Sequence, residues 1–156
     1  MPANERRRPI KRILLIVLGV LAFLVVSFFL ARFLSVENQE RDLDLALIEA
    51  QARGDVTGML DRIAGCRARP ACVASVRANT TNPRLLRVGA VKILQLTSGT
   101  AYALTGATGR TRLAWTVIGK LPVVQCVGVR RTGNPIGGIT ITLTSLSTPI
   151  PNEADC

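Results

Sequence analysis

Hydrophobic and polar residues follow three patterns along the chain, and the first is an unbroken apolar run. Residues 13–31 contain no charged side chain, and Ser27 is their only polar one. As a helix this run would be about 28 Å long, which is close to the hydrocarbon thickness of a bilayer. Because a core helix of a soluble protein has a polar side, the run predicts a membrane-spanning helix over residues 13–34.

The second pattern has the period of an amphipathic helix. In residues 35–53 apolar side chains recur at i, i+4, i+7 and i+11, which predicts a second helix with one buried stripe. Ser35 is expected to cap its start, and Glu40 is expected to stay hydrated in its first turns. The stripe consists of Leu43, Leu47, Ala50 and Gly54.

Signals for helix ends and starts come next. Gly54 is a natural helix stop, and Asp55 is placed to cap a short second helix. Pro70 stands at the start of a further apolar-periodic segment, where its ring favours the first helical turn. The first half of the region beyond residue 34 is therefore expected to be helical.

The third pattern alternates with the period of a strand. The runs 91–96, 100–105, 110–118, 122–129 and 138–146 are rich in β-branched residues, and Gly, Pro or Asn separates them. In the first run Val91 and Ile93 are out of phase with Leu94 and Leu96, which predicts a β-bulge. Short links favour antiparallel pairing of neighbours. The sequence thus predicts an α+β fold with helices on one face of a curved, cone-like antiparallel sheet of four or five strands.

These patterns divide the chain into four segments. Residues 1–12 form a basic cytoplasmic tail and residues 13–34 the transmembrane anchor. Residues 35–54 form a juxtamembrane helix, and residues 55–156 form an extracytoplasmic α+β domain.

The charges beside the apolar run predict its orientation. Arginine and lysine dominate residues 5–12, whereas acidic residues dominate residues 37–49. Since positive charge stays in the cytoplasm, the N-terminus is expected inside and the C-terminal domain outside a bacterial cell membrane. A cleaved signal peptide is the alternative, but its apolar core is about 7–15 residues long, and bulky residues stand here where a cleavage site needs small ones.

The four cysteines follow the anchor, where an oxidising compartment favours disulfides. No metal site is expected, because the chain has no histidine and the cysteines lack C-x(2–4)-C spacing. Of the three possible pairings, Cys66 with Cys72 and Cys126 with Cys156 is preferred, because Pro70 favours a turn between the first two. Free thiols are the alternative.

Basic residues predominate beyond the helices. The net charge is +10, and residues 62–152 contain Arg and Lys but no Asp or Glu. Such a body attracts anionic surfaces, and the candidate basic surface consists of Arg110, Arg112, Arg130 and Arg131. The alternative is that a coding bias toward arginine fills ordinary solvated positions.

The order of these parts resembles the nuclear-transport-factor-2-like cone fold over residues 13–150. In particular it is similar to membrane-anchored extracytoplasmic members such as Mce-associated membrane proteins and the inner-membrane scaffold subunits of type IV secretion systems. Its most specific piece is the step A-x-A-x-G-D, from Ala50 to Asp55. Enzymes of this fold carry an aspartate, and often a histidine, inside the cone. The resemblance therefore implies that a catalytic role of this chain would need such residues there.

An enzyme is not expected, and no cofactor is expected either. The chain has no histidine, and its predicted strands contain no carboxylate. Capping and surface exposure explain Asp55 and Asp61, and core packing explains Tyr102. Nucleophilic serine or cysteine chemistry would need a base that the pattern does not supply.

Two classes of function remain. The first is a non-catalytic scaffold that binds other subunits of an envelope complex or itself. The second is a carrier that holds a lipid-like ligand in an apolar pocket, and an open cavity would favour it over the scaffold. DNA binding is a weaker alternative, since the strands lack exposed aromatic residues for stacking. The candidate pocket lining is Leu113, Trp115, Val123, Val127 and Ile141.

Overall fold

The computed structural model describes residues 7–100, 106–134, 136–152 and 154–156, with side chains described from residue 11 onward. The chain divides into two compact units, Met1–Ser35 and Val36–Cys156. Each unit is described by itself below.

A single long helix, α1, covers Arg7–Ala52. The predicted start of a separate helix capped by Ser35 is therefore wrong. Neither Gly nor Pro stands between residues 32 and 40, and a serine inside a helix costs little, so nothing there ends the helix. The helix also includes residues 7–12, because Pro9 lies in its first turn, where a missing N–H breaks no intrahelical bond.

The apolar part of α1 is long and apolar enough to cross a membrane. Its large apolar side chains from Ile13 to Leu34 are exposed, with none of the most apolar window buried. It is therefore not a buried core helix, in agreement with the prediction that this run needs an apolar solvent.

Two short helices and a 3₁₀ turn follow α1. Gly54 ends the long helix with a φ of 71°, and Oδ1 of Asp55 accepts the N–H of Gly58 at 2.8 Å, which confirms the predicted stop and cap. Pro70 occupies the start of the third helix, as predicted. The elements are α2 (Val56–Arg62), the 3₁₀ turn (Cys66–Ala68) and α3 (Pro70–Thr80).

Within the described residues four strands pair in chain order as one open antiparallel sheet, so the predicted α+β fold with a curved sheet is confirmed. The strand register shifts between Ile93 and Gln95, where the sequence predicted a bulge. The predicted run 100–105 lies largely outside the described residues, and so does Tyr102. The strands are β1 (Val91–Thr97), β2 (Ala107–Val117), β3 (Val123–Asn134) and β4 (Gly138–Leu146).

One core joins the helices to the sheet within residues 36–156. Leu47 and Ile48 of α1 and Met59 of α2 are fully buried together with Leu113 and Trp115 of β2. The alternation predicted for β2 places Leu113 and Trp115 on the inner face of the sheet. Burial of these side chains is the main force that holds the domain together.

Candidate functional site

Two loops meet beside the C-terminal end of α1: residues 81–90 after α3, and residues 118–122 between β2 and β3. The N–H of Arg87 donates to the carbonyl of Ala52 at 3.0 Å, and its Nη1 donates to that of Leu121 at 2.7 Å. The Arg87 guanidinium also lies 5.0 Å from the centre of the Trp115 ring, a cation–π contact. Arg87 therefore ties both loops to the helix and to the sheet.

Aliphatic side chains project from these two loops. Val88 is fully exposed, Leu121 is 84% exposed, Ile118 is 75% exposed and Leu86 is 42% exposed. Single exposed aliphatic residues are ordinary, but a group on adjoining loops is typical of an interaction site. The loops are in contact, since Nη1 of Arg87 in the first loop donates to the carbonyl of Leu121 in the second at 2.7 Å.

These loops line two adjoining open depressions of about 780 and 560 Å³, together with residues of α1, β3 and the C-terminal tail. Both depressions are lined by Leu86 and Arg87, so they form one continuous surface. We call this surface the loop groove. It is defined by Arg84, Leu86, Arg87, Val88, Lys120 and Leu121.

The charge of the loop groove is positive. Arg84 and Lys120 are exposed, and within the described residues neither of them forms an ion pair. The acidic lining residue Glu49 lies 3.8 Å from Arg53 of the same helix, so its charge is offset. The groove therefore combines apolar contact area with cations that are free to meet an anionic group.

A second polar feature lies inside the domain. Oε1 of Glu40 accepts from Thr111 Oγ1 at 2.5 Å, and Oε2 accepts from Ser98 Oγ at 3.1 Å and from Arg131 Nη2 at 2.6 Å. We call these four residues the buried ion-pair cluster. The expectation that Glu40 is hydrated is wrong, because Glu40 lies on the same helical face as Leu47, and that face packs on the sheet.

Asp44 lies one helical turn after Glu40 and is also fully buried. Neither of its carboxyl oxygens has a hydrogen-bond partner within the described part of the chain. Burial, and secondarily the negative charge of Glu40, raises the pKa of Asp44 from 3.8 to about 8. Asp44 is thus mostly protonated at neutral pH.

A further buried polar contact links α1 to the sheet. Gln51 and Gln125 exchange two amide hydrogen bonds of 2.9 and 3.1 Å, and Trp115 Nε1 donates to Gln125 Oε1 at 2.9 Å. These reciprocal bonds satisfy polar groups that would otherwise be costly to bury. They fix the register of the helix on strands β2 and β3.

The predicted basic surface is only partly assembled. Arg130 and Arg110 are exposed, and Arg112 is half-buried on the same outer face of the sheet. Arg131 is only 4% exposed and pairs with Glu40, so its assignment to the surface is wrong. Because residues alternate across a strand, two consecutive arginines cannot share one face, and Arg131 points inward.

Two of the outer arginines hold the C-terminal tail. Arg112 donates to the carbonyls of Asn152 and Ala154, and Arg110 donates to that of Cys156 at 3.2 Å. A disulfide joins Cys126 to Cys156. We call this arrangement the tail clasp.

The structure joins the cysteines in the preferred pairing. Cys66 and Cys72 are bonded with their Cα atoms 5.3 Å apart, and the Cα atoms of the tail-clasp pair lie 5.7 Å apart. The first bond links the 3₁₀ turn to α3, and the second links β3 to the tail. The described cysteines therefore serve as links between elements.

The predicted pocket residues all lie in the core of the domain. Leu113, Trp115 and Val127 are fully buried, Ile141 is 5% exposed and Val123 is 9% exposed. The three fully buried side chains are therefore packed against protein atoms on all sides. Val123 alone of the five also lines the loop groove.

Sequence reasoning missed the loop groove and the buried acids for different reasons. Glu40 and Asp44 precede Leu47 by seven and three positions, so helical periodicity alone would have placed them on the buried face. The loops that carry Val88 and Leu121 have no periodicity, and only the tertiary structure brings them together.

Within the described residues no group of three or more His, Cys, Asp and Glu side chains is placed to hold a metal ion. Comparison of the chain with protein-family models, curated proteins and solved structures gives no significant match. The resemblance to the cone fold therefore stays a prediction.

Proposed function

We propose that this chain is a non-catalytic, single-pass membrane-anchored module that binds a partner protein of a bacterial envelope complex. In this proposal the apolar part of α1 is the anchor, the basic N-terminus is cytoplasmic, and residues 36–156 are extracytoplasmic. The charge asymmetry around the apolar run supports the orientation. The two disulfides support it too, since they persist in an oxidising compartment.

The observation that carries the proposal is the loop groove. Its aliphatic side chains remain exposed on a domain whose own core is already packed, so they contribute little to folding. Exposed apolar area that is held by defined contacts, such as those of Arg87, is typical of a surface that becomes buried on association.

The packed core weighs against the carrier interpretation, since Leu113, Trp115 and Val127 have no exposed area for a ligand. The tail clasp weighs against DNA binding, because Arg110 and Arg112 already bond to backbone carbonyls. We retain the cone fold as a proposal, supported by helices that pack on a curved antiparallel meander.

Photocrosslinking in native membranes tests the proposal. A benzophenone amino acid replaces Leu121 in the loop groove, and in a control it replaces Ile136, which is 80% exposed on the β3–β4 turn. We expect a discrete crosslinked protein from position 121 and none from position 136. Absence of an adduct from position 121, and also from position 88, would contradict the proposal.

A further inference from the structure

We infer that the loop groove takes an acidic–apolar peptide segment of the partner, in which Asp or Glu side chains alternate with aliphatic or aromatic ones. This inference rests on the proposed function and specifies the chemistry of the partner. It depends on three properties of the groove: which of its groups are unsatisfied, what sign its charge has, and what shape it has.

The loop groove has unsatisfied groups of two kinds, apolar side chains and cations. Val88 and Leu121 expose aliphatic surface, while Arg84 and Lys120 expose charges that no ion pair within the described residues neutralises. An apolar ligand alone would leave the two cations desolvated without partners, which is costly. A ligand that carries carboxylates beside apolar side chains satisfies both kinds of group at once.

The positive charge of the loop groove disfavours a basic peptide segment. Among the described lining residues the only carboxylate is Glu49, which is already beside Arg53 at 3.8 Å. A basic segment would therefore meet Arg84, Arg87 and Lys120 with repulsion and would find no free acidic partner. Electrostatic complementarity thus favours an acidic occupant.

The shape favours a peptide over a bilayer. Leu86 lines both depressions, and Val88 and Leu121 each line one of them, so these side chains border a concave surface. A flat lipid surface leaves such depressions unfilled, whereas a peptide places side chains into adjoining pockets along its length.

Selection from a random 12-residue peptide library displayed on phage tests the inference. The full chain is presented in phosphatidylcholine nanodiscs, and clones are kept if they bind the wild type but not the Val88→Ser/Leu121→Ser variant. Both substitutions replace exposed side chains and leave the core unchanged. We expect the retained clones to be enriched in Asp and Glu over Lys and Arg, together with apolar residues.

Charge variants test the electrostatic part separately. The Arg84→Glu/Lys120→Glu variant is expected to bind the retained clones at least tenfold more weakly than the wild type does. Lys92→Glu, which alters an exposed lysine on β1, is the matched control and is expected to change their binding by less than twofold. Circular dichroism checks that each variant retains the fold.

Several outcomes would overturn the inference. The inference is overturned if the retained clones are neutral or basic. It is also overturned if no clone distinguishes the wild type from the Val88→Ser/Leu121→Ser variant. Groove-dependent binding to phosphatidylglycerol vesicles without peptide clones would assign the groove to a lipid surface. Loss of an oligomer in the Val88→Ser/Leu121→Ser variant would assign it to a second copy. In each of these cases a crosslink from position 121 to a different protein would still support the proposed function, so the two failures are distinguishable.

Discussion

At the scale of single residues, Asp44 makes the stability of the domain depend on pH. The folded state keeps the Asp44 proton up to about pH 8, whereas the unfolded state releases it near pH 3.8. Between these values the unfolded state binds fewer protons, so the free energy of unfolding falls as the pH rises from about 4 to about 8. Below and above this window Asp44 contributes no pH dependence.

Asp44→Asn is therefore expected to remove this slope. The variant should be more stable than the wild type at pH 8 by more than about 1 kcal/mol, with a smaller difference in its favour or none at pH 5. Urea unfolding of the full chain in detergent micelles at both pH values measures the difference. Asp42→Asn, which changes an exposed carboxylate on the same helix, is the control. An equal pH dependence in wild type and Asp44→Asn would contradict the assignment.

A second prediction at this scale concerns the buried ion pair of Glu40 and Arg131. Arg131→Met leaves the buried Glu40 carboxylate without its cation and is expected to destabilise the domain by about 3–5 kcal/mol. The double variant Glu40→Gln/Arg131→Met removes both charges and should recover most of that loss. A double-mutant cycle from urea unfolding measures the coupling. Additive effects of the two changes would show that the pair is not coupled.

At the scale of elements, the two disulfides are expected to contribute unequally. The Cys126–Cys156 bond closes a separation of 30 residues, and the Cys66–Cys72 bond closes one of 6. If the bonds act by restricting the unfolded chain, their removal costs about 4 and about 2 kcal/mol respectively. Thermal unfolding of Cys126→Ser/Cys156→Ser and Cys66→Ser/Cys72→Ser variants compares them. A larger loss of stability in Cys66→Ser/Cys72→Ser than in Cys126→Ser/Cys156→Ser would contradict this order.

The tail clasp gives a more local prediction. The N–H of Ile150 donates to the carbonyl of Val124 at 2.9 Å, and the Cys126–Cys156 bond holds the tail beyond that point. In Cys126→Ser/Cys156→Ser we expect faster hydrogen exchange over residues 150–156. Exchange over α3 (Pro70–Thr80) should stay unchanged and serves as the internal control. Unchanged exchange in the tail would mean that the arginine contacts alone secure it.

The elements also indicate how far sequence reasoning reaches. Alternation in β2 and β4 predicted the strands and their inner faces, because one face of each strand is buried and the other is wet. The phase slip at Leu94 predicted the bulge. The predicted break at Ser35 was wrong because a capping residue permits a helix start without requiring one, and nothing nearby stops the helix.

The candidate site was harder to predict than the fold. The charge of Glu40 indicates exposure to solvent, but Glu40 is buried against Arg131, which is distant in sequence and which only the folded sheet brings beside it. Val88 and Leu121 lie on loops whose proximity depends on the contacts of Arg87. Local patterns specify which face of an element is buried, but they carry little information about which loops become neighbours.

At the scale of the whole molecule, the proposal joins an apolar anchor to a domain that presents one apolar and cationic groove. The basic residues of the chain then have distinct roles. In this proposal those before residue 13 orient the anchor, Arg131 neutralises a buried acid, and Arg110 and Arg112 secure the tail. Arg84 and Lys120, which form no ion pair within the described part of the chain, are available to a partner. The location of the domain outside the cytoplasm is the premise on which the disulfides and the partner both depend.

Lysine labelling tests that premise most directly. The chain has Lys11 before the apolar run and Lys92 and Lys120 in the domain, where both are exposed. A membrane-impermeant amine reagent applied to intact spheroplasts is predicted to label Lys92 and Lys120, and to label Lys11 only after permeabilisation. Labelling of Lys11 in intact spheroplasts with protection of Lys92 and Lys120 would contradict the account.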